Sequence, residues 1–390
     1  MVINKLGIRE QNEATVLQAI ITQKNISRIQ ISKKTHLNKA SVSQITKKLI
    51  DDHFIFEVGS GHSTTSGGRK PIQLAFNGKC GVAVAFDVGY NYIKSRLAYV
   101  DGTPINSISK QNLELNQVNI CPFLQEILDE LLLFLPQTSY GLTGIGIAIH
   151  GIVENNQMTF TPYYDLVGLD FVTSLEKVYD VPVFLENEAN LTGLGEYCFA
   201  STQENLISIS VHSGIGAGII TNGRLQTGHH GSSGEIGHSI LFPDGKKCPC
   251  GNHGCLEQYA SNKVLFDNYA KQAHLSFVNS DVFAEKANQN EKLAIRLAHE
   301  NSHYLAIGIN NLTTLFDPET IYINSSVYRK IPFLVGQLQE LLNSRFTKDV
   351  LITNSQLGEN ATLYGGVALV SSQFLHIEKL KFPVDKTKAI

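Results

Sequence analysis

One stretch governs the interpretation of the whole chain: residues 234–257 read GEIGHSILFPDGKKCPCGNHGCLE. It brings His238, Cys248, Cys250 and Cys255 into a single short loop. Three thiolates and one imidazole are a complete donor set for a tetrahedral structural zinc ion, and the intervening glycines and proline supply the tight turns that convergence on one ion requires. We therefore predict Zn²⁺ as a structural cofactor held by these four residues.

The alternative is that these cysteines are buried thiols or form a disulfide. The chain has six cysteines in 390 residues, and three of them fall in this loop. It shows no positively charged and then apolar N-terminal signal, so we expect a cytoplasmic protein in a reducing compartment, where a metal site is favoured over a disulfide.

The motif Gly-Glu-Ile-Gly-His, followed by Cys-Pro-Cys-Gly-Asn-His-Gly-Cys-Leu-Glu, resembles the zinc signature of the ROK family of sugar kinases and sugar-responsive repressors. The resemblance implies a two-lobed α/β fold of the actin-like ATPase type over residues 81–390, with the ligand in the cleft between the lobes. The pattern of apolar residues supports the same fold. Short apolar runs such as Val82 to Phe86 and Leu206 to Val211 alternate with helical stretches, which favours sheets covered on both faces.

Charge separates the chain into two parts. Residues 1–80 hold twelve Lys and Arg against five Asp and Glu, a balance of +7; since the whole chain carries −3, residues 81–390 carry −10. Although small domains vary by a few charges through chance, a basic module joined to an acidic one suggests that the N-terminal part meets a polyanion. The apolar stretches are too short for a membrane helix, so no membrane partner is expected.

Residues 1–80 are predicted to form a winged helix-turn-helix, that is, helices with a small β wing. Helices are expected from Glu13 to Thr22, from Ser27 to near Thr35 and from Lys39 to Asp51, with His36 as a turn residue. A hairpin tip at residues 59–71 would be the wing. The third helix and the tip present side chains suited to bases and phosphates; the predicted DNA-binding residues are Lys39, Ser41, Ser43, Gln44, Lys47 and Arg69. A helical protein-binding domain is the alternative.

The chemistry that a kinase of this family needs is altered at three places. Tyr90 stands where the resemblance implies a phosphate-loop glycine, Ile215 replaces a hydroxyl in the second turn, and Glu188 replaces the Asp that acts as general base. We therefore predict a sensor and not an enzyme. The run Tyr364-Gly365-Gly366-Val367 still resembles the family's late nucleotide loop, which leaves residual kinase activity as the alternative.

Positions that contact sugar in the family are better preserved. The resemblance implies a sugar-binding set in which His238 would bind zinc through one ring nitrogen and face the sugar with the other; the set is Gly151, Asn187, Glu188, Glu235, His238 and Glu257. Glu196, His229 and His230 are interpreted as loop or surface residues. The Glu-Asn-Glu-Ala-Asn motif at residues 186–190 looks most like that of the xylose repressors of Gram-positive bacteria, from which His150 and residues 163–165 depart.

Together these features predict a sugar-responsive transcriptional repressor. We expect a homodimer, or a higher oligomer, on a palindromic operator, with D-xylose or a related sugar as effector. Two alternatives stay open: an ATP-dependent sugar kinase carrying a DNA-binding head, and an interaction protein whose cleft is closed and empty.

Overall fold

A computed structural model describes residues 5–60, 70–162 and 166–384 of the chain. Its N-terminal segment consists of three helices and a three-stranded antiparallel sheet in the order β1-β3-β2. The elements are α1 Lys5–Ile21, β1 Ile26–Ser27, α2 Arg28–Thr35, α3 Lys39–Asp51, β2 Ile55–Ser60 and β3 Ile72–Phe76.

Short polar residues set where these helices begin. The Ser27 side chain accepts from the backbone N–H of Gln30, and the Gln30 side chain accepts from the backbone N–H of Ser27 at 2.9 Å, a capping box at the helix start expected from the sequence. Asn38 caps α3 through a 2.9 Å bond from the backbone N–H of Ser41. His36, with φ 58°, occupies the left-handed turn between α2 and α3, as predicted. The first helix begins earlier than Glu13, at Lys5.

The first lobe contains a five-stranded sheet in the order β10-β7-β4-β5-β6. All seven residues of β4 are buried, because the sheet is covered on both faces. Helices α4 and α5 pack in this lobe, and a small hairpin, β8–β9, lies next to β10. The bounds are β4 Val82–Val88, β5 Tyr92–Tyr99, β6 Pro104–Gln111, α4 Ile120–Leu132, β7 Leu142–Ile149, β8 Ile152–Glu154, β9 Gln157–Phe160, α5 Phe171–Tyr179 and β10 Val183–Asn187.

The second lobe repeats this topology with the order β13-β12-β11-β14-β15. In each lobe three antiparallel strands are followed by two parallel ones. The bounds are α6 Glu188–Gly195, β11 Leu206–Val211, β12 Ile215–Thr221, β13 Arg224–Leu225, α7 Glu257–Ala260, α8 Asn262–Ala273, α9 Ser280–Asn288, α10 Lys292–Phe316, β14 Thr320–Asn324, α11 Ser326–Lys330, α12 Phe333–Leu341, β15 Leu351–Asn354 and α13 Ala361–Phe374.

Helices α6 and α13 cross between the two lobes at very short range. A Cβ on Gly365 would lie 1.8 Å from the carbonyl oxygen of Leu191, so this crossing requires glycine. The residues Tyr364 to Val367 lie inside α13, and their glycines allow the helix to pack closely against its neighbours. Their interpretation as a late nucleotide loop was wrong, because a glycine pair in sequence does not distinguish a loop from a close helix crossing.

The N-terminal segment packs directly against the rest of the chain. Val16 and Ile20 of α1 share one apolar core with Leu206, Ile220 and residues 375–382 near the C-terminus. The side chain of Gln18 also donates to the backbone carbonyl of Lys381 at 3.1 Å. Residues before and after the predicted domain boundary at residue 80 therefore share one apolar core. Within the part of the chain that the structure describes, no helix has the length and apolarity to span a bilayer.

Candidate functional site

A cavity of about 400 Å³ opens between the two lobes. Strand ends and helix starts from both lobes meet at it, as the repeated topology requires. The structure brings all six residues of the predicted sugar-binding set to its wall: Gly151, Asn187, Glu188, Glu235, His238 and Glu257. The cleft is therefore open, which argues against an interaction protein with a closed, empty cleft.

Asn187 fixes the turn from β10 into α6 at the cavity wall. Its side-chain oxygen accepts from the backbone N–H groups of Ala189 and Asn190 at 2.8 and 3.1 Å. Its amide donates to the carbonyl oxygen of Gly151 at 2.8 Å. Asn187 thus caps α6 and ties the Gly151 loop to it, which holds this side of the cavity in a fixed shape.

Glu188 is the first residue of α6 and is buried. Its Oε1 lies within hydrogen-bond distance of the hydroxyls of Thr192, Ser210 and Thr362, at 3.0 to 3.1 Å. A buried carboxylate is costly unless donors surround it, and here hydroxyls from three different elements supply them. Its position depends on α6, β11 and α13 together.

Tyr92 fills the turn that follows β4. A Cβ on Gly89 would lie 2.1 Å from the Tyr92 ring, so the ring occupies the space over this turn. The Tyr92 hydroxyl donates to Asp87 Oδ2 at 3.2 Å and lies 3.3 Å from His150 Nε2. The family resemblance implies a phosphate-binding turn at this position, and here the Tyr92 ring occupies the space over it.

Asp87 and His150 form an ion pair that the sequence did not reveal. His150 Nε2 lies 3.0 Å from Asp87 Oδ1. Burial alone would raise the pKa of Asp87, but the hydrogen bond and the charge of His150 lower it below its ordinary value. Burial alone would likewise lower the pKa of His150, and the Asp87 carboxylate raises it. His150, which departs from the family pattern, therefore has its charged partner on the neighbouring strand β4.

The four predicted metal ligands converge. Their ligand atoms all lie within 4.8 Å of one another. Zn–S bonds of about 2.3 Å and Zn–N bonds of about 2.0 Å at tetrahedral angles separate two sulfurs by about 3.8 Å and a sulfur from a nitrogen by about 3.5 Å. The Sγ atoms of Cys250 and Cys255 are 3.7 Å apart, and Cys248 Sγ is 3.5 Å from His238 Nδ1. The residues present therefore fit a tetrahedral ion of this kind.

His238 connects this cluster to the cavity. Its Nδ1 faces Cys248, whereas its Nε2 lies 3.8 Å from Oε2 of Glu235 at the cavity wall. Glu257, the first residue of α7, places its Oε1 3.3 Å from Cys248 Sγ. Burial raises the pKa of Glu235, and the nearby His238 lowers it in part. One imidazole thus has one nitrogen toward the cluster and the other toward the cavity.

Five of the six predicted DNA-contacting residues lie on α3. Lys39, Ser43, Gln44 and Lys47 are exposed, while Ser41 is half-buried at the helix start. Val42, Ile45, Thr46 and Leu49 form the buried face of α3. Arg69, like residues 163–165, lies outside the described residues.

Glu196 is the residue that the sequence interpretation placed wrongly. It is fully buried in a π-helical turn after α6, where it accepts from the Ser355 hydroxyl and from the backbone N–H of Leu357. Burial raises its pKa to about 7. The apolar run Tyr197 to Ala200 that follows was the available sign of burial. His229 and His230 are exposed, as predicted, and His230 lies 2.9 Å from Glu154.

Two lobes of one repeated topology around a polar cleft define an actin-like fold. A model of the ROK family matches residues 83–373, and the chain belongs to the ROK family. The xylose repressor of Bacillus subtilis (strain 168) is 34% identical over 377 residues, which are 94% of this chain and 97% of that protein. A solved ROK family transcriptional regulator, described as a homolog of the E. coli MLC protein, matches with a TM-score of 0.82 and 28% identity over 95% of this chain and 97% of its own.

A solved ROK family kinase matches less of the chain. The glucokinase from Streptomyces griseus, in complex with glucose and AMPPNP, has a TM-score of 0.67 at 23% identity, and it covers 74% of this chain but 99% of its own. It shares the fold and leaves about a quarter of this chain unmatched. Relatives that match nearly the whole chain are a repressor and a transcriptional regulator, so the repressor interpretation has the stronger support and the kinase alternative the weaker.

Proposed function

We propose that this protein is a sugar-responsive transcriptional repressor whose effector is D-xylose or a related sugar. The observation that carries the proposal is likeness to a xylose repressor over nearly the whole of both chains, the N-terminal segment included. The cavity between the lobes is lined by carboxylates, amides and hydroxyls, which suits a polyol.

The N-terminal residues 1–80 act as a winged helix-turn-helix that binds operator DNA. Three helices, an exposed polar face on α3 and an antiparallel sheet support this role. Lys39 and Ser41 would contact phosphates at the helix start, Ser43, Gln44 and Lys47 would face the major groove, and Arg69 would reach the minor groove. A homodimer would place two such heads on a palindromic operator.

The sugar binds between Asn187 and Glu188 on one side and the His238 loop on the other. Glu188, Glu235 and Glu257 would accept bonds from sugar hydroxyls, and Asn187 would hold Gly151 in place. A ligand that touches both lobes favours one arrangement of the lobes over another. Its binding free energy is then coupled to the affinity of the protein for DNA.

Zinc is the metal that the Cys3His donor set fits best. When bound, it supplies a structural cross-link between the Cys248–Cys255 turn and the helical turn that carries His238. With His238 Nδ1 directed at the cluster, its Nε2 faces Glu235 and the cavity.

The test is a thermal-shift screen of the zinc-loaded protein against pentoses, hexoses and amino sugars. A sugar at 100 times its Kd should add about 2.7 kcal/mol to the free energy of unfolding. We expect D-xylose or a close relative to raise the Tm. If no sugar in the panel raises it, the cleft is not an effector site.

A further inference from the structure

Helix α13 has one end at the cavity. The hydroxyl of Thr362, its second residue, lies 3.1 Å from Glu188 Oε1. Just before the helix, the side chain of Asn360 accepts from the Arg96 guanidinium at 2.7 Å, and that guanidinium stacks 4.6 Å over the ring of Tyr364. A change in the position of Glu188 or of the lobes would therefore alter the contacts at the start of α13.

The other end of α13 contacts the N-terminal segment through three aromatic rings. The ring of Phe374, the last residue of the helix, lies 5.1 Å from that of Tyr140 and 5.6 Å from that of Phe54. Tyr140 and Phe54 are stacked at 5.0 Å. We call these residues, Phe54, Tyr140 and Phe374, the aromatic junction. Its members come from the N-terminal segment, the first lobe and α13, so three parts of the molecule meet there.

The aromatic junction is attached to the end of α3. The Tyr140 hydroxyl donates to the backbone carbonyl of Asp52 at 2.7 Å. Asp52 is the C-terminal cap of α3, the helix that carries the proposed DNA-contacting face. Phe54 follows two residues later and donates its backbone N–H to Leu49 within α3 at 2.9 Å. Both contacts therefore fix the C-terminal end of α3 against the first lobe.

Helix α13 is suited to carry a displacement from one end to the other. Its 14 residues span about 21 Å at 1.5 Å per residue. Most of its side chains are buried, and Gly365 and Gly366 pack backbone against backbone with α6 and β7. A closely packed helix shifts as a unit between discrete positions and does not bend, because no space is left for gradual deformation. The junction rings are only partly buried, so they can repack when the helix shifts.

We propose that α13 and the aromatic junction couple sugar binding to DNA binding, with Tyr140 and Phe374 as the positioning residues for α3. This inference rests on the proposed function. Occupation of the cavity changes the contact between Glu188 and Thr362, α13 shifts, and the junction re-positions the end of α3. The two heads of a dimer then fit a palindromic operator better in one state than in the other.

The test measures coupling separately from each binding event. An operator fragment is selected from random DNA by the wild-type protein, and its Kd is measured by fluorescence anisotropy with and without saturating D-xylose. The Kd for D-xylose is measured without DNA by titration calorimetry. The variants are Tyr140→Phe, which removes the bond to Asp52 and keeps the ring, and Phe374→Leu, which removes one ring of the junction.

Tyr179→Phe is the matched control. Its hydroxyl donates to Asp129 at 2.8 Å, in the same lobe and on helix α5, outside the junction. In the wild type and in the control we expect D-xylose to change operator affinity by about 5- to 150-fold, the usual range of allosteric coupling. In Tyr140→Phe and Phe374→Leu this response should shrink to within about twofold of none, while D-xylose affinity is retained.

The outcomes separate the two proposals. A full response to D-xylose in both junction variants would overturn the coupling through α13 and leave the proposed function intact. A wild-type protein that does not respond to D-xylose would overturn the proposed function and the coupling with it. Loss of D-xylose affinity in both junction variants, with the control unchanged, would show that the junction only maintains the fold, and this too would overturn the proposal.

Discussion

His238 is the residue at which metal and cavity meet. Its Nδ1 faces Cys248 and its Nε2 faces Glu235, so the orientation of one ring depends on both neighbours. An imidazole that is held by a metal through one nitrogen presents the other in a fixed direction. A defect in the metal cluster should therefore reach the cavity although no cysteine ligand lies at the cavity wall.

Cys250→Ser tests this link. Cys250 is the exposed member of the cluster, so the substitution removes a thiolate with little loss of packing. We expect zinc content, measured by mass spectrometry on purified protein, to fall from about one ion per chain, and D-xylose affinity to weaken. Cys121→Ser, which alters a cysteine outside the cluster, should change neither. Full zinc content in Cys250→Ser would show that the ligand set is wrong.

Glu196 makes the stability of the protein depend on pH. Burial raises the pKa of its carboxyl from the ordinary 4.5 to about 7. Between these values the folded state binds a proton that the unfolded state has lost, so stability falls as pH rises from about 4.5 to about 7. Glu196→Gln has no carboxyl group to titrate at this position, so its stability should not fall for this reason. Between pH 5 and pH 8 the free energy of unfolding of the wild type should fall relative to that of the variant by up to about 3 kcal/mol.

Chemical denaturation at both pH values measures this difference. Other titrating groups are shared by the two proteins and cancel. Glu126→Gln, at an exposed carboxylate that pairs with Lys110, is the matched control, because a lysine partner keeps its charge between pH 5 and pH 8. Parallel pH profiles of the wild type and Glu196→Gln would mean that the carboxyl keeps its ordinary pKa.

Among the elements, the crossing of α6 and α13 is the most tightly constrained. Gly365→Ala would place a Cβ 1.8 Å from the carbonyl oxygen of Leu191, so backbone must move. Such overpacking costs about 1–3 kcal/mol or more of unfolding free energy. Gly336→Ala is the control, because a Cβ there meets nothing within 4 Å inside helix α12. It should stabilise by about 0.5–1 kcal/mol. Urea denaturation of both variants tests the crossing, and equal stabilities would refute it.

The elements also show how far local sequence determines structure. The starts of α2 and α3 were predictable, because a capping box at Ser27 and the polar turn before Lys39 act within a few residues. The extra two turns of α1 before Glu13 were missed, since they lack a distinct apolar stripe. Gly365 could not be assigned to a helix crossing from sequence, because its partner Leu191 is distant along the chain.

The site follows the same rule. The cysteine loop was found because its motif is contiguous, and the six residues at the cavity wall were found because the family resemblance implies them. The pairing of Asp87 with His150, the Tyr92 ring over the Gly89 turn and the contact of Thr362 with Glu188 were not found, since each joins separate elements. The sequence interpretation placed Glu196 at the surface, because glutamate is rarely buried without a charged partner.

For the whole molecule, charge is divided between the two predicted domains. Residues 1–80 carry +7 and residues 81–390 carry −10. Lysines on the head should therefore govern DNA affinity through release of counterions, and the large module should not. Although the head shares its core with the C-terminal residues, its exposed α3 face remains accessible.

Lys47→Ala tests this division. We expect weaker operator binding and a plot of log affinity against log salt whose slope is smaller by about 1, as for loss of one phosphate contact. The affinity for D-xylose should not change. Lys271→Ala, at an exposed lysine of α8, should alter neither quantity. Equal loss of DNA and sugar affinity in Lys47→Ala would contradict the assignment of the N-terminal residues to DNA binding.

The most direct measurement is the operator affinity of the zinc-loaded, full-length protein with and without D-xylose. If the cleft binds the sugar and the N-terminal segment binds the operator, the contacts of α13 with both predict that sugar changes DNA affinity. We predict that saturating D-xylose weakens operator binding by about 5- to 150-fold. Operator affinity that is the same with and without D-xylose would contradict the account.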